Sequence, residues 1–165
     1  MSKDGVKRKS RPLLQKIRKK NPSAAELEKE LGNIKHFGGI FSSKQLKNII
    51  ILKYPITLLV IVKKHWIVIY IDQRTIEVYD SLMNICEYDQ VLLFIKNNIH
   101  SKELKLFPKI QADNNLDCAF FAKYFIKAKA NLISFDDLLK IFGCDFKYNA
   151  TIVRTGFDKT FISTR

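Results

Sequence analysis

Cysteine is scarce in this chain. Only Cys86, Cys118 and Cys144 occur in 165 residues, and no two of them form a C-x-x-C pair. An odd, unpaired set suggests neither a disulfide framework nor a zinc site, and it fits a reducing compartment. Acidic residues are also in short supply, 16 against 29 Lys and Arg, for a net charge of +13. A long uninterrupted apolar run is missing. The most apolar stretch, Ile56 to Ile71, is broken by Lys63, Lys64 and His65, so it does not read as a membrane span. Residues 1–20 are basic without an apolar core segment and do not read as a secretory signal. No internal repeat is present.

What remains is ordinary globular material. Hydrophobic residues at 47% against 27% charged exclude a disordered protein, and the length suits one domain better than two. The charge is concentrated at one end. Residues 1–20 hold Lys3, Lys7, Arg8, Lys9, Arg11, Lys16, Arg18, Lys19 and Lys20 against Asp4, a net +8 that leaves +5 for the other 145 residues. Residues 1–22 are therefore expected to be a basic, flexible tail, and residues 23–165 one domain. Lys7, Arg8, Lys9, Arg11, Lys16, Arg18, Lys19 and Lys20 are the residues expected to meet a polyanion.

Patterning predicts the elements in order. Ser23 can cap a short helix ending at Gly32, with Glu26 at the capping-box position. Gly38-Gly39 reads as a turn, and Ser43 to Ile50 as a second short helix. Thr57–Val62, Trp66–Ile71 and Thr75–Tyr79 read as strands. The Asp72–Arg74 connection predicts an antiparallel hairpin between the last two, and the unbroken apolar run Trp66–Ile71 predicts a central strand covered on both faces. Tyr88–Ile99 reads as a helix and Leu104–Ile110 as a strand. Cys118–Leu132 is apolar nearly all round, which marks a buried helix, and Ser134 should cap another through Phe142. From Lys147 onward the pattern is mixed.

Four reactive side chains fall at the ends of these elements: His65, Asp80, Gln111 and Cys118. A hairpin turning over Asp72–Arg74 could bring Asp80 beside His65. A thiol at a helix N-terminus beside an imidazole is a candidate nucleophile, and the imidazole its base. A carboxylate on the second ring nitrogen would fix the tautomer, and an amide NH₂ with the thiol residue's backbone N–H would form an oxyanion hole. Taken singly, each has a plainer reading. Cys118 is a small core residue, His65 a strand-end residue, Asp80-Ser81 a turn, and Gln111 a surface amide. Cys86, Cys144, His36 and His100 keep that plainer reading.

The run His65-Trp66, Tyr79-Asp80-Ser81, Gln111, Asp117-Cys118 resembles the adenovirus-type (adenain-like) viral cysteine proteases and their relatives, the SUMO-specific (Ulp-type) proteases. The resemblance covers about residues 33–155. Phe37–Phe41 with Leu46, and Asn149–Val153, look like the family's N- and C-terminal segments. It implies an α+β papain-like cysteine protease fold, with a central mostly antiparallel sheet and the nucleophile-bearing helix packed on it. It also implies a Cys-His-Asp cysteine endopeptidase with a Gln oxyanion donor: Cys118 nucleophile, His65 base, Asp80 orienter, Gln111 oxyanion donor. Two positions depart from the family. Ala119 stands where a Gly usually follows the nucleophile, and residues 100–110 lack the Cys that links an activating peptide.

The leading expectation is a monomeric viral enzyme that cleaves virion precursor proteins in the host nucleus and virion, with DNA as a partner through the tail and no membrane partner. No metal or organic cofactor is implied; a peptide or DNA activator stays open. Two alternatives stay open as well. One is a ubiquitin-like (SUMO-type) deconjugating protease, the other a non-catalytic basic DNA-binding or scaffold protein retaining the fold. Residues 7–20 also read as a nuclear targeting signal.

Overall fold

A computed structural model describes residues 21–157; the basic tail expected over 1–22 lies almost wholly outside the described residues. The chain runs α1 (Ala24–Leu31), β1 (Phe37–Ser42), β2 (Ile56–Val62), β3 (His65–Ile71), β4 (Thr75–Tyr79), α2 (Asp89–Ile99), β5 (Glu103–Leu106), α3 (Cys118–Ala130), α4 (Phe135–Ile141) and α5 (Phe146–Thr155). Short 3₁₀ turns span Ser43–Asn48 and Ile85–Glu87. Among the described residues no helix is long and apolar enough to cross a membrane.

The local signals for α1 act as expected. Ser23 accepts from the Glu26 N–H while the Glu26 carboxylate accepts from the Ser23 N–H, and Gly32 ends the helix. Likewise Ser134 caps α4 by accepting from the Asp137 N–H. The mixed segment from Lys147 continues, as far as Thr155, a helix the patterning did not reveal, α5, which Asp145 caps through the Tyr148 N–H; residues 158–165 lie outside the described residues.

The five strands form one sheet in the order β1-β2-β3-β4-β5. The expected hairpin is present, with Val68 opposite Tyr79 and Ile71 opposite Ile76. Every residue of β3 is buried, as its unbroken apolar run requires. The expectation of a mostly antiparallel sheet needs correcting. β2, β3 and β4 pair antiparallel, but both edge strands pair parallel, β1 with β2 and β5 with β4, so the sheet is mixed. Tight turns announce antiparallel pairing, whereas parallel edges arrive by longer crossovers with no local signature. Gly38-Gly39, expected as a turn, lies inside β1. A Cβ on Gly38 would sit 2.6 Å from Ile56 Cδ1, and Gly39 takes φ +119° at the register shift. β5 is also shorter than expected and stops before Pro108.

Helices cover both faces. α1, α3, α4 and α5 pack on Leu59, Trp66, Val68, Tyr70 and Tyr79. α2 and the Ser43–Asn48 turn pack on Leu58, Val60, Ile67, Ile69, Ile76 and Val78. This two-faced burial is what holds the strand ends in fixed positions.

Candidate active site

The ends that matter share one edge of the sheet. β3 begins at His65, β4 ends one residue before Asp80, and β5, parallel to β4, leads toward Gln111. Since Val68 pairs with Tyr79 in an antiparallel register, Asp80 falls diagonally across from His65, within reach of a long side chain. His65 Nε2 lies 2.7 Å from Asp80 Oδ1, with both side chains buried.

The Asp80 carboxylate is held on all sides by a turn of its own making. Its Oδ1 also accepts from the Leu82 N–H (3.1 Å), and its Oδ2 accepts from the Asn84 N–H (2.7 Å). The turn closes through the Met83 N–H onto the Asp80 carbonyl at 2.9 Å. Both oxygens of this buried carboxylate therefore have hydrogen-bond donors. An ionised carboxylate only accepts, so His65 Nε2 carries the hydrogen and Nδ1 faces the remaining partner.

That partner is Cys118, the first residue of α3 and half-buried against the core. Burial alone would lower the His65 imidazole's pKa. The hydrogen bond to Asp80, a second to Cys118 and the charges of both outweigh burial and raise it to about 9. The imidazole is therefore bracketed by a carboxylate and a sulfur, and both favour its protonated form.

Gln111 is also buried, and two other residues connect it to this edge. Its Oε1 accepts from the Ser81 hydroxyl at 2.5 Å, and its Nε2 donates to the Asn115 carbonyl at 2.5 Å. Asn115 in turn accepts the Asp117 N–H on its Oδ1 at 2.7 Å, so Gln111 is linked to the loop that delivers Cys118. Asp117 is buried, and Arg154 of α5 places Nη2 2.8 Å from each of its oxygens, aligned as a hydrogen bond toward Oδ1. Asn149, also of α5 and fully buried, donates to the Ile110 carbonyl at 3.0 Å and clamps the residue before Gln111.

Ala119 is buried in the first turn of α3 and is not among the residues with positive φ. The backbone there needs no glycine, so this departure leaves the Cys118 N–H in an ordinary helix N-terminus, free of an intrahelical partner. Clefts flank the site on two sides. One of about 400 Å³ is lined by Asn114, Asn115, Lys147, Thr151 and Arg154. Another of about 380 Å³ is lined by Lys44, Val62, Lys63, Tyr88 and Asp89.

Of the residues expected from the sequence, His65 meets both Asp80 and Cys118, and Gln111 is tied to this group through Ser81 and Asn115. Lys7, Arg8, Lys9, Arg11, Lys16, Arg18, Lys19 and Lys20 lie outside the described residues. Cys86 and Cys144 are exposed. The patterning missed the supports, namely Asn84, Asn115, Asn149 and Arg154. Asn149 and Arg154 find partners 39 and 37 residues away in the chain, and no local signal marks such a pairing; Asn84 and Asn115 act within four residues, in turns the patterning did not single out.

No family model and no curated protein matches the chain. Among solved structures, the Ulp1-like SUMO protease catalytic domain of Chaetomium thermophilum is similar over 64% of this chain and 48% of its own, with 18% identity and a TM-score of 0.34. The chain thus spans about half the length of that structure. At this level the similarity carries nothing about fold or chemistry, and the side-chain geometry stands by itself.

Proposed function

We propose that this chain is a cysteine-type endopeptidase. The observation that carries the reading is one imidazole bridging a buried carboxylate and a helix-N-terminal thiol. Asp80 orients His65, whose Nδ1 takes the Cys118 proton, and the sulfur attacks a peptide carbonyl. The Gln111 Nε2–H and the Cys118 N–H receive the oxyanion. The imidazolium then protonates the leaving amine, and water cleaves the thioester with His65 again as base.

The finer reading, supported by the motif resemblance, is a viral enzyme acting on virion precursor proteins in the nucleus and virion. The basic tail would supply the affinity for DNA, holding the enzyme beside substrates packed with the genome. Deleting residues 1–22 is expected to weaken DNA binding and flatten its dependence on salt, because fewer counterions are released. Unchanged affinity in a filter-binding titration would exclude the tail.

The peptidase reading is tested by thiol labelling together with turnover. At pH 6, iodoacetamide should modify Cys118 well before the exposed Cys86 and Cys144, which serve as internal controls for an unactivated thiol. Peptides from a digested proteome should show new N-termini after incubation, and turnover should fall as pH rises through about 9, where His65 loses its proton. The Asp80→Asn variant removes a cause that raises this value, so its alkaline limb should move to lower pH. Equal labelling of all three thiols with no cleavage would leave a non-catalytic basic scaffold instead.

A further inference from the structure

One turn serves both halves of the candidate site. Asp80 and Ser81 are adjacent, and the turn that wraps the Asp80 carboxylate also buries the Ser81 hydroxyl, only 2% exposed, against Gln111. Ser81 holds Gln111 twice. Its carbonyl accepts both the Ile110 and the Gln111 N–H at 3.0 Å, and its hydroxyl meets Gln111 Oε1 at 2.5 Å.

The direction of that side-chain bond follows from the other end of the amide. The Asn115 carbonyl can only accept, so the amide must present NH₂ to it. Oε1 then faces Ser81, and the hydroxyl must donate. With the amide locked this way, Nε2 spends one hydrogen on Asn115 and keeps the other. Without the hydroxyl, Oε1 would be a buried acceptor with no partner, a cost relieved by rotating the amide out of position.

We propose that Ser81 is a positioning residue of the peptidase site: its hydroxyl fixes the Gln111 amide so that one Nε2–H points at the oxyanion. The inference rests on the peptidase reading above. It couples the imidazole's orienter and the oxyanion donor through two consecutive residues of one turn.

The test measures kcat and KM for the best-cleaved library peptide in the full chain, alongside Cys118 alkylation at pH 6. Gln111→Ala should lower kcat by about 10²–10³-fold, as for the loss of one oxyanion donor. Ser81→Ala should lower kcat by about 10-fold or more with KM little changed, since only the transition state carries the oxyanion. Alkylation of Cys118 should stay at the wild-type rate in both, because forming the thiolate requires His65 and not Gln111. The Ser81→Ala/Gln111→Ala double variant should be no slower than Gln111→Ala alone.

Ser81→Thr and Ser81→Val have the same shape and differ in the hydroxyl, so the Thr variant should keep most of the activity that the Val variant loses. This pair decides the matter should the alanine variant fold poorly. A wild-type kcat in Ser81→Ala, additive losses in the double variant, or equal activity of the Thr and Val variants would overturn the role of Ser81 while leaving the peptidase intact. A wild-type protein that cleaves no peptide and labels its thiols equally overturns both.

Discussion

Cys118→Ala and His65→Ala are each expected to reduce peptide cleavage by on the order of 10⁴–10⁶-fold, and the double variant should lose little more. Nucleophile and base act as a unit. Without the sulfur there is no thioester, and without the imidazole the thiol keeps its proton and the leaving amine receives none. Neither change should unfold the protein. Cys118 is half-buried at a helix start, where a shorter side chain leaves little void. Losing His65 leaves Asp80 with its two backbone donors, Leu82 and Asn84. Circular dichroism and melting curves would check the fold, and mass spectrometry of the peptide pool the activity. Wild-type turnover by either single variant would refute the peptidase reading. His65 does contribute to stability, because its folded pKa is raised. That contribution is full below the ordinary value of 6.5 and disappears as pH rises through about 9.

The largest stability effect should come from the other end of the same helix. Lys129 of α3 is buried, with Nζ 2.8 Å from Glu77 Oε2 on β4 and 4.1 Å from the centre of the Tyr70 ring. It also donates to the Ile133 carbonyl at 3.2 Å, and the Tyr79 hydroxyl donates to Glu77. Burial, then the Glu77 charge, pushes the Tyr79 hydroxyl far above its usual range, so it remains a donor. Lys129→Met would leave the Glu77 carboxylate buried without a counter-charge, a loss of about 3–5 kcal/mol. In a thermal melt this should appear as a fall on the order of 10 °C. Replacing both partners, Glu77→Leu with Lys129→Met, should recover much of the loss, because the desolvated charge is gone along with its partner. A single variant that melts with the wild type would show that this pair does not hold α3 to the sheet. Lys129 lies eleven positions beyond Cys118 along the helix, so thiol labelling of the folded variant should be unaffected.

These two ends of α3 differ in how far they could be anticipated. The Cys118 end carries an ordered motif, His65-Trp66, Asp80, Gln111 and Cys118, picked out by its resemblance to a family; three of these residues border strands or helices, while Gln111 lies in the connection between β5 and α3. At the other end, nothing in the patterning singles out Lys129 within the apolar helix. Its partner, 52 residues earlier on β4, is identified only when strand and helix pack. The same holds for Asn149 on Ile110 and Arg154 on Asp117, which come from α5, a helix the patterning did not reveal.

Local chemistry in the chain determined the capped helices, the Asp72–Arg74 hairpin, the doubly covered β3 and the four reactive side chains. Those depend on neighbours within a few residues, where periodicity, caps and turn residues act. Tertiary packing alone decided the parallel pairing of both edge strands, the place of Gly38-Gly39 inside β1, and the orientation of the Gln111 amide between Ser81 and Asn115. Each of these turns on groups brought together across long stretches of chain. Their contact energies exist only once the sheet has formed, so nothing in a short window of sequence records them.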